Sequence, residues 1–485
     1  CTARASRRVK EVGIKKVVGA KRTTLIAQYL SESVLMALFA LFVALLLVLL
    51  LLPHFNFIAD KELSLQFDVS RLLAMIVIVS FTGLVAGSYP ALYLSSFEPS
   101  TILKGGFRNV AGAAFARKAL VVFQFALSIM LMVSVWVIYD QLDFMQSHHL
   151  GYDKEHVILF KQEGVLREEE KLETFISEVE RIPGIVNVSS SQHDMIGHHY
   201  GTGVLWPGKS PVDNIEFEQM SVNYQMIETL GIKVQSGRTF SRDFGTDNTA
   251  IIFNQTAIDW MGLSDPIGKI VKLNGREKTI IGVVQDFHFD SFREEIKPLF
   301  FQLAPSATNK IVMKVEAGRE EVVLSDLKGL HQRFNPNYVL DYWFLDEDHQ
   351  SLYAAEARMS TLSKYFGGLA IVISCLGLFG LAAFTAERRM KEIGIRKILG
   401  SSEMSIISLL SSEFMKTLAV AILISLPISY VIAKNWLDDF AYKIDLQWWH
   451  FFGAASIALI VALFTAGLQT VKVAMLNPTQ YLKDE

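Results

Sequence analysis

VLMALFALFVALLLVLLLL, running from Val34 to Leu52, contains no charge, no proline and no turn-forming residue. A helix needs ~20 predominantly apolar residues to cross the ~30 Å hydrocarbon layer of a bilayer. A soluble core helix seldom stays apolar on every side over that length. The stretch therefore predicts a membrane span, and working outward from it the chain shows five more. Charge-free runs cover 33–59, 72–97, 119–139, 365–386, 417–433 and 446–471. Pro90 and Pro427 interrupt two of them, which a bundle tolerates because neighbouring helices re-satisfy the freed carbonyls. The expected fold is a six-span α-helical membrane bundle with one α+β domain outside it.

The net charge of −3 says little about partners, because the charges are segregated by side. Basic residues crowd before the first span (Arg4, Arg7, Arg8, Lys10, Lys15, Lys16, Lys21, Arg22) and between the fourth and fifth (Arg388, Arg389, Lys391, Arg396, Lys397). The loop 54–70 has only Lys61. By the positive-inside rule the N-terminus, 98–118, 387–404 and the C-terminus are cytoplasmic, which leaves 140–364 outside. Trp436, Trp448 and Trp449 then flank the last two spans as outer interfacial anchors. Only Cys1 and Cys375 occur, so no disulfide framework supports the outer domain.

An internal repeat organises the chain. RRVKEVGIKKVVGA at 7–20 aligns without gaps on RRMKEIGIRKILGS at 388–401. At the same offset Ser31-Glu32 falls on Ser412-Glu413, and Pro99 to Lys104 is echoed by Pro478 to Lys483. Both copies begin inside, which makes this a parallel repeat. The expected organisation is a basic coupling segment 1–22, a span pair 23–104 and a linker with span three 105–140. The outer domain 141–361 and span four 362–386 follow, then a second coupling segment 387–404 and a second span pair with its tail 405–485. A complete repeat would place residue 1 at the inner end of a missing span.

In the outer domain, β-branched and apolar runs predict strands at 156–161, 249–253, 279–285, 299–303 and 310–316. Helices are expected at 166–181, 222–230, 320–334 and 349–364, the last running on into span four as a stiff lever.

Candidate chemistry is sparse. Gly262 to Lys269 lacks phosphate-loop spacing and continues with Ile270, so this chain is not expected to bind ATP that way or to be an enzyme; if ATP drives it, another subunit supplies the hydrolysis. His193, Asp194, His198 and His199 match no metal-ligand spacing and read as a polar loop, with no metal expected. Asp286 and His288 lack a third group for acid–base work, and no catalytic residue is expected. Glu32 and Glu413 stand at equivalent inner ends of spans, either touching the basic segments or snorkelling to headgroup level. Gly83 and Gly87, with Gly377 and Gly380, form small-residue faces for helix packing. Apolar mid-membrane stretches argue against a channel or a polar-substrate carrier.

The basic segments carry the strongest signal. Each alternates charge with aliphatic residues at helical spacing, which forms an amphipathic helix along the inner surface. A topology signal or headgroup-binding helix needs only positive charge. The recurrence of Glu and two Gly at fixed offsets favours a protein-docking surface made of Glu11, Val12, Gly13, Ile14, Lys15, Lys16 and Gly19, with Glu392, Ile393, Gly394, Ile395, Arg396, Lys397 and Gly400 as its second copy.

On these motifs the chain resembles the MacB/FtsX-like family of ABC transporter permeases. Glu392 to Gly400 and Glu11 to Gly19 are similar to the family's cytoplasmic signature. Gly237 to Phe240, Asp265 to Lys269 and Ile280 to Phe289 resemble its MacB-type periplasmic domain, above all in the fused, eight-span permeases of Bacteroidetes-like bacteria. The chain departs from that pattern at its start, as an N-terminally truncated form would. The resemblance implies a multi-pass protein of the bacterial inner membrane with no cofactor of its own. Two separate ABC-type ATPase subunits would use ATP and Mg, and their motion would pass through the spans to the periplasmic domain to export or extract a peptide, drug or lipoprotein-like substrate. Membrane lipid and a periplasmic or outer-membrane protein are further expected partners; nucleic acid is not. The competing expectation is a membrane receptor with an extracytoplasmic ligand-binding domain.

Overall fold

A computed structural model describes residues 15–65, 68–96, 111–197, 201–210, 215–388 and 390–474. Two compact units emerge: a membrane unit of 1–139, 358–435 and 446–485, and an extramembrane unit of 140–357 with 436–445. The second unit includes a segment expected within the last span pair.

Along the chain come α1 (Arg22–Ala59), α2 (Val69–Ser96) and α3 (Ala111–Ser147). Next are β1 (Val157–Lys161), α4 (Glu169–Val179), β2 (Ile185–Ser191), β3 (Gly201–Leu205), β4 (Glu216–Val222) and β5 (Val234–Gly237). They are followed by β6 (Ala250–Asn254), α5 (Gln255–Met261), β7 (Ile270–Leu273), β8 (Arg276–Val284), β9 (Leu299–Leu303) and β10 (Lys310–Val315). The order closes with α6 (Glu320–Phe334), β11 (Tyr342–Phe344), α7 (Leu345–Leu352), α8 (Ala354–Arg388), α9 (Met390–Ile398), α10 (Glu403–Leu437) and α11 (Trp448–Ala474).

Among the described residues six helices are long and apolar enough to cross a membrane: α1, α2, α3, α8, α10 and α11. Each extends past its charge-free run at one end or both, because helical hydrogen bonding continues past the point where charge marks the bilayer edge. Pro53 and Pro427 sit inside α1 and α10 without ending them. One seam joins α3, α8, α10 and α11 through Phe125, Leu378, Phe414 and Leu418, with Ala126, Ala382, Ala421, Ala462 and Ala466 letting the helices close. Ser128 and Ser374 share a hydrogen bond of 3.0 Å between α3 and α8. A smaller contact of Leu25, Tyr29 and Ala91 joins α1 to α2.

The packing glycines do not behave alike. A β-carbon on Gly83 would lie 2.9 Å from the Val34 backbone, on Gly87 2.6 Å from the Ser33 hydroxyl, and on Gly377 2.4 Å from Gln124 Oε1. Gly380 faces open space, so it is not a close-approach residue here.

The extramembrane unit has two halves. In the first, β11, β1, β10 and β2 pair antiparallel. Their inner face packs α4 and α6 around Phe160, Phe175, Met313 and Leu327. In the second, β4, β3, β7, β8, β6 and β9 follow one another, and parallel pairing of β9 with β4 closes the ring. Closure removes exposed strand edges, and Phe217, Ile251, Phe253, Val271 and Phe300 fill the core under α5. The halves are linked where Ser191 of β2 meets Val222 of β4.

Two expectations need correction. Residues 222–230 supply the end of β4 and a single turn, Met226–Thr229, and not a full helix. The proposed lever is not continuous from 349: α7 stops at Leu352, Tyr353 has non-helical φ −108° and ψ 12°, and α8 begins at Ala354. Tyr353 is buried there, and its hydroxyl accepts a hydrogen bond from Phe292 N at 3.1 Å.

Candidate functional site

On the cytoplasmic side, Glu11, Val12, Gly13 and Ile14 lie outside the described residues. Lys15, Lys16 and Gly19 fall within them. Gly19 has φ +101° and Gly400 φ +90°, a conformation that side chains rarely adopt. Gly19 N donates to Lys16 O at 3.0 Å and Ala20 N to Lys15 O at 2.9 Å. In the second copy Gly400 N donates to Lys397 O at 3.2 Å and Ser401 N to Arg396 O at 3.0 Å. The paired bonds and the left-handed glycine make a Schellman cap, twice over. These glycines recur because both helical segments must end at the same place.

Directly before each glycine stand two exposed aliphatic residues, Val17 and Val18 in one copy and Ile398 and Leu399 in the other. Ile395 is also exposed, whereas Ile393 is buried, so the apolar residues of α9 divide between an inward anchor and an outward face. Glu392 pairs with Arg396 at 2.8 Å, and Lys397 reaches Glu403 at 3.4 Å. The charges at these positions thus brace α9 and its exit, leaving the aliphatic face free of them. Gly394 lies within α9. Glu413 lies 3.8 Å from Lys118 at the inner part of α3.

The extramembrane unit contains a second constellation that the sequence reading set aside. His288 stacks on Phe292 at 4.4 Å and meets Tyr442 edge-on at 4.5 Å. Tyr442 belongs to 436–445, the link between α10 and α11. Gln141, fully buried, clasps that link: its Nε2 donates to Tyr442 O at 3.0 Å and its Oε1 accepts from Ile444 N at 2.9 Å. Tyr442 N donates to Phe292 O at 3.1 Å. Arg293 lies over the Phe440 ring at 4.5 Å while pairing with Glu356 at 2.8 Å. Burial, with His148 close by, pushes His288 down to about 4, so it is neutral at ordinary pH. Burial does the same to His349, also to about 4, assisted by Lys154.

Asp286 has a different task, accepting a hydrogen bond from Thr256 N at 2.9 Å at the start of α5. Asn254, whose side chain accepts from Ala257 N at 3.1 Å, caps the same helix. In the Gly237 to Phe240 motif, Arg238 forks onto Asp247 at 2.6 and 2.9 Å. Burial opposes ionisation of that carboxyl, but Arg238 and the Ser241 amide outweigh it and hold its pKa below the ordinary value. Asp194 is paired with Lys310. Burial and Lys310 lower the pKa of His193, and His198 and His199 lie outside the described residues. Among the described residues no three potential ligands converge on a metal position.

What distinguishes the molecule is thus a duplicated, glycine-capped inner helix and an outer link built into the extramembrane unit. The model of the FtsX-like permease C-terminal family matches residues 2–99 and 365–478, which brackets both copies of the repeat. The chain is 23% identical over 286 residues to the uncharacterized ABC transporter permease YknZ of Bacillus subtilis, covering 56% of this chain and 70% of that one. It is 21% identical over 280 residues to the macrolide export ATP-binding/permease protein MacB of Neisseria meningitidis, covering 54% of this chain and 43% of the relative. The chain thus spans less than half the length of that MacB relative. The periplasmic region of MacB from Actinobacillus actinomycetemcomitans is similar at 15% identity and a TM-score of 0.31, with 43% of this chain and 97% of that one covered. The extracellular domain of YknZ is similar at 17% identity and a TM-score of 0.29, with 39% and 98% covered. The chain thus carries an FtsX-like permease domain in two copies, with six candidate spans among its described residues, and its sequence relatives are ABC transporter permeases named YknZ and MacB.

Proposed function

We propose that this permease transmits ATP-driven motion from separate ATPase subunits, through its spans, to its periplasmic domain. The observation that carries the proposal is the link 436–445. It joins two spans in sequence yet is built into the extramembrane unit by the Gln141 clasp and the Tyr442 and Phe440 contacts. A displacement of α10 or α11 must therefore strain that unit or break the clasp.

At the other end, Val17, Val18, Ile395, Ile398 and Leu399 offer apolar docking faces for two ATPase subunits, which supply ATP and Mg chemistry. The proposed docking residues Lys15, Lys16, Glu392, Arg396 and Lys397 orient these faces. The aliphatic and alanine-rich seam favours force transmission over conduction of a polar substrate through the bundle. The protein would sit in the bacterial inner membrane, act with a periplasmic or outer-membrane partner, and export or extract a peptide, drug or lipoprotein-like substrate.

The test is co-purification with the ATPase and assay of its turnover. Val18→Asp combined with Leu399→Asp, one in each face, should abolish association, whereas Gln141→Leu should keep association and hydrolysis but lose export. Normal export by Gln141→Leu would sink the proposal.

A further inference from the structure

The outer parts of α3, α8 and α11 enclose a groove of about 450 Å³, within the ~300–1,000 Å³ typical of small-molecule sites. It exists because Gly367 and Gly368 lack side chains: a β-carbon on either would meet nothing within 4 Å. Met132, Val135, Ile371, Ala454 and Ile457 give it an apolar lining. The α3 residues along it, Met132 to Tyr139, span about 10 Å at ~1.5 Å per residue. That depth is roughly two thirds of one leaflet of a ~30 Å hydrocarbon core.

Its rim has a different character. Trp136, Tyr139 and Lys364 border the groove, and Lys364 Nζ lies 4.9 Å over the Tyr139 ring. Trp136 occupies the hollow left by Gly453, where a β-carbon would fall 2.5 Å from the indole. Among the described residues no carboxylate comes within ion-pair distance of Lys364. A cation with no acidic partner, set beside aromatic rings of the kind found at membrane interfaces, complements a ligand with an apolar chain and an anionic head.

We infer that this groove binds one acyl chain of an anionic phospholipid from the outer leaflet, with the headgroup held at Lys364. The inference goes beyond force transmission and does not depend on it.

The test uses the full-length permease in nanodiscs of equal phosphatidylglycerol and phosphatidylethanolamine, with retained lipids counted by native mass spectrometry after release. Wild type should retain phosphatidylglycerol over phosphatidylethanolamine by about threefold, the scale of one partly exposed charge pair. Lys364→Gln should bring the ratio to parity and Lys364→Arg should preserve it. Gly367→Leu, which fills the groove, should cost one retained lipid. An unchanged ratio in Lys364→Gln, or an unchanged count in Gly367→Leu, overturns the inference. Equal retention of both lipids by wild type does so too, since it marks ordinary boundary lipid.

Discussion

Replacing Gln141 with leucine isolates the outer clasp. Gln141 is 0% exposed, and its carboxamide makes two hydrogen bonds to the link, one to Tyr442 O and one from Ile444 N. Leucine has similar volume and no polar atom, so packing is largely kept while both bonds are lost. At about 0.5–1.5 kcal/mol net for each bond, the link should be loosened by about 1–3 kcal/mol. Tyr442 and Ile444 are only partly buried, so the freed backbone groups can regain water and the cost should fall on the link alone. In hydrogen exchange, amide protection across 436–445 should therefore fall by roughly 5- to 150-fold. Protection in β1 and β10 should not change. Wild-type protection of the Ile444 amide in Gln141→Leu would refute the reasoning, because that amide's partner in the structure is the Gln141 side chain.

Gly400→Ala should fray the end of α9 and weaken ATPase association, since an L-residue at φ +90° costs about 1–2 kcal/mol; Gly19→Ala should act in the same direction, read by binding titration. Val18→Asp combined with Leu399→Asp, at residues 83% and 78% exposed, should abolish association with no loss of thermal stability. For His288 and His349 the folded pKa, about 4, lies below the ordinary 6.5. The neutral form is thus favoured on folding, so their stabilisation is complete above pH 6.5 and is lost as pH falls toward 4. Between pH 6.5 and 5 the fold should therefore lose stability, read as a lower denaturation midpoint at the lower pH. Exchange across 285–292, corrected for intrinsic rate, should accelerate accordingly, and less so in His288→Phe.

The spans were legible because exclusion of charge over some twenty residues is a strong local signal, and the repeat was legible because it needs no structure to see. Their limits were not: charge marks the bilayer edge, while α1 runs inward to Arg22 on backbone hydrogen bonds. Much of the extramembrane sheet escaped notice for a related reason. In β2, Ser189, Ser190 and Ser191 are buried, yet their polarity mimics a loop. Barrel closure depends on β4 meeting β9 across some eighty residues, beyond any local periodicity. Membership of 436–445 in the extramembrane unit rests on partners about three hundred residues away. The available signal was the pairing of an aromatic-rich QDFHFDSF stretch with Phe440 and Tyr442 in a short loop. Gly19 and Gly400 were read from the repeat as docking positions, and their backbone angles give them a role in ending a helix, which the repeat alone did not reveal.

The most direct test of force transmission is hydrogen exchange of 285–292 and 436–445 in the permease bound to its ATPase, compared without nucleotide and with a non-hydrolysable ATP analogue. The account predicts a nucleotide-dependent change in protection in both segments, absent when Val18→Asp and Leu399→Asp are combined. Identical protection in the two states, with the ATPase demonstrably bound and its nucleotide site occupied, would contradict it.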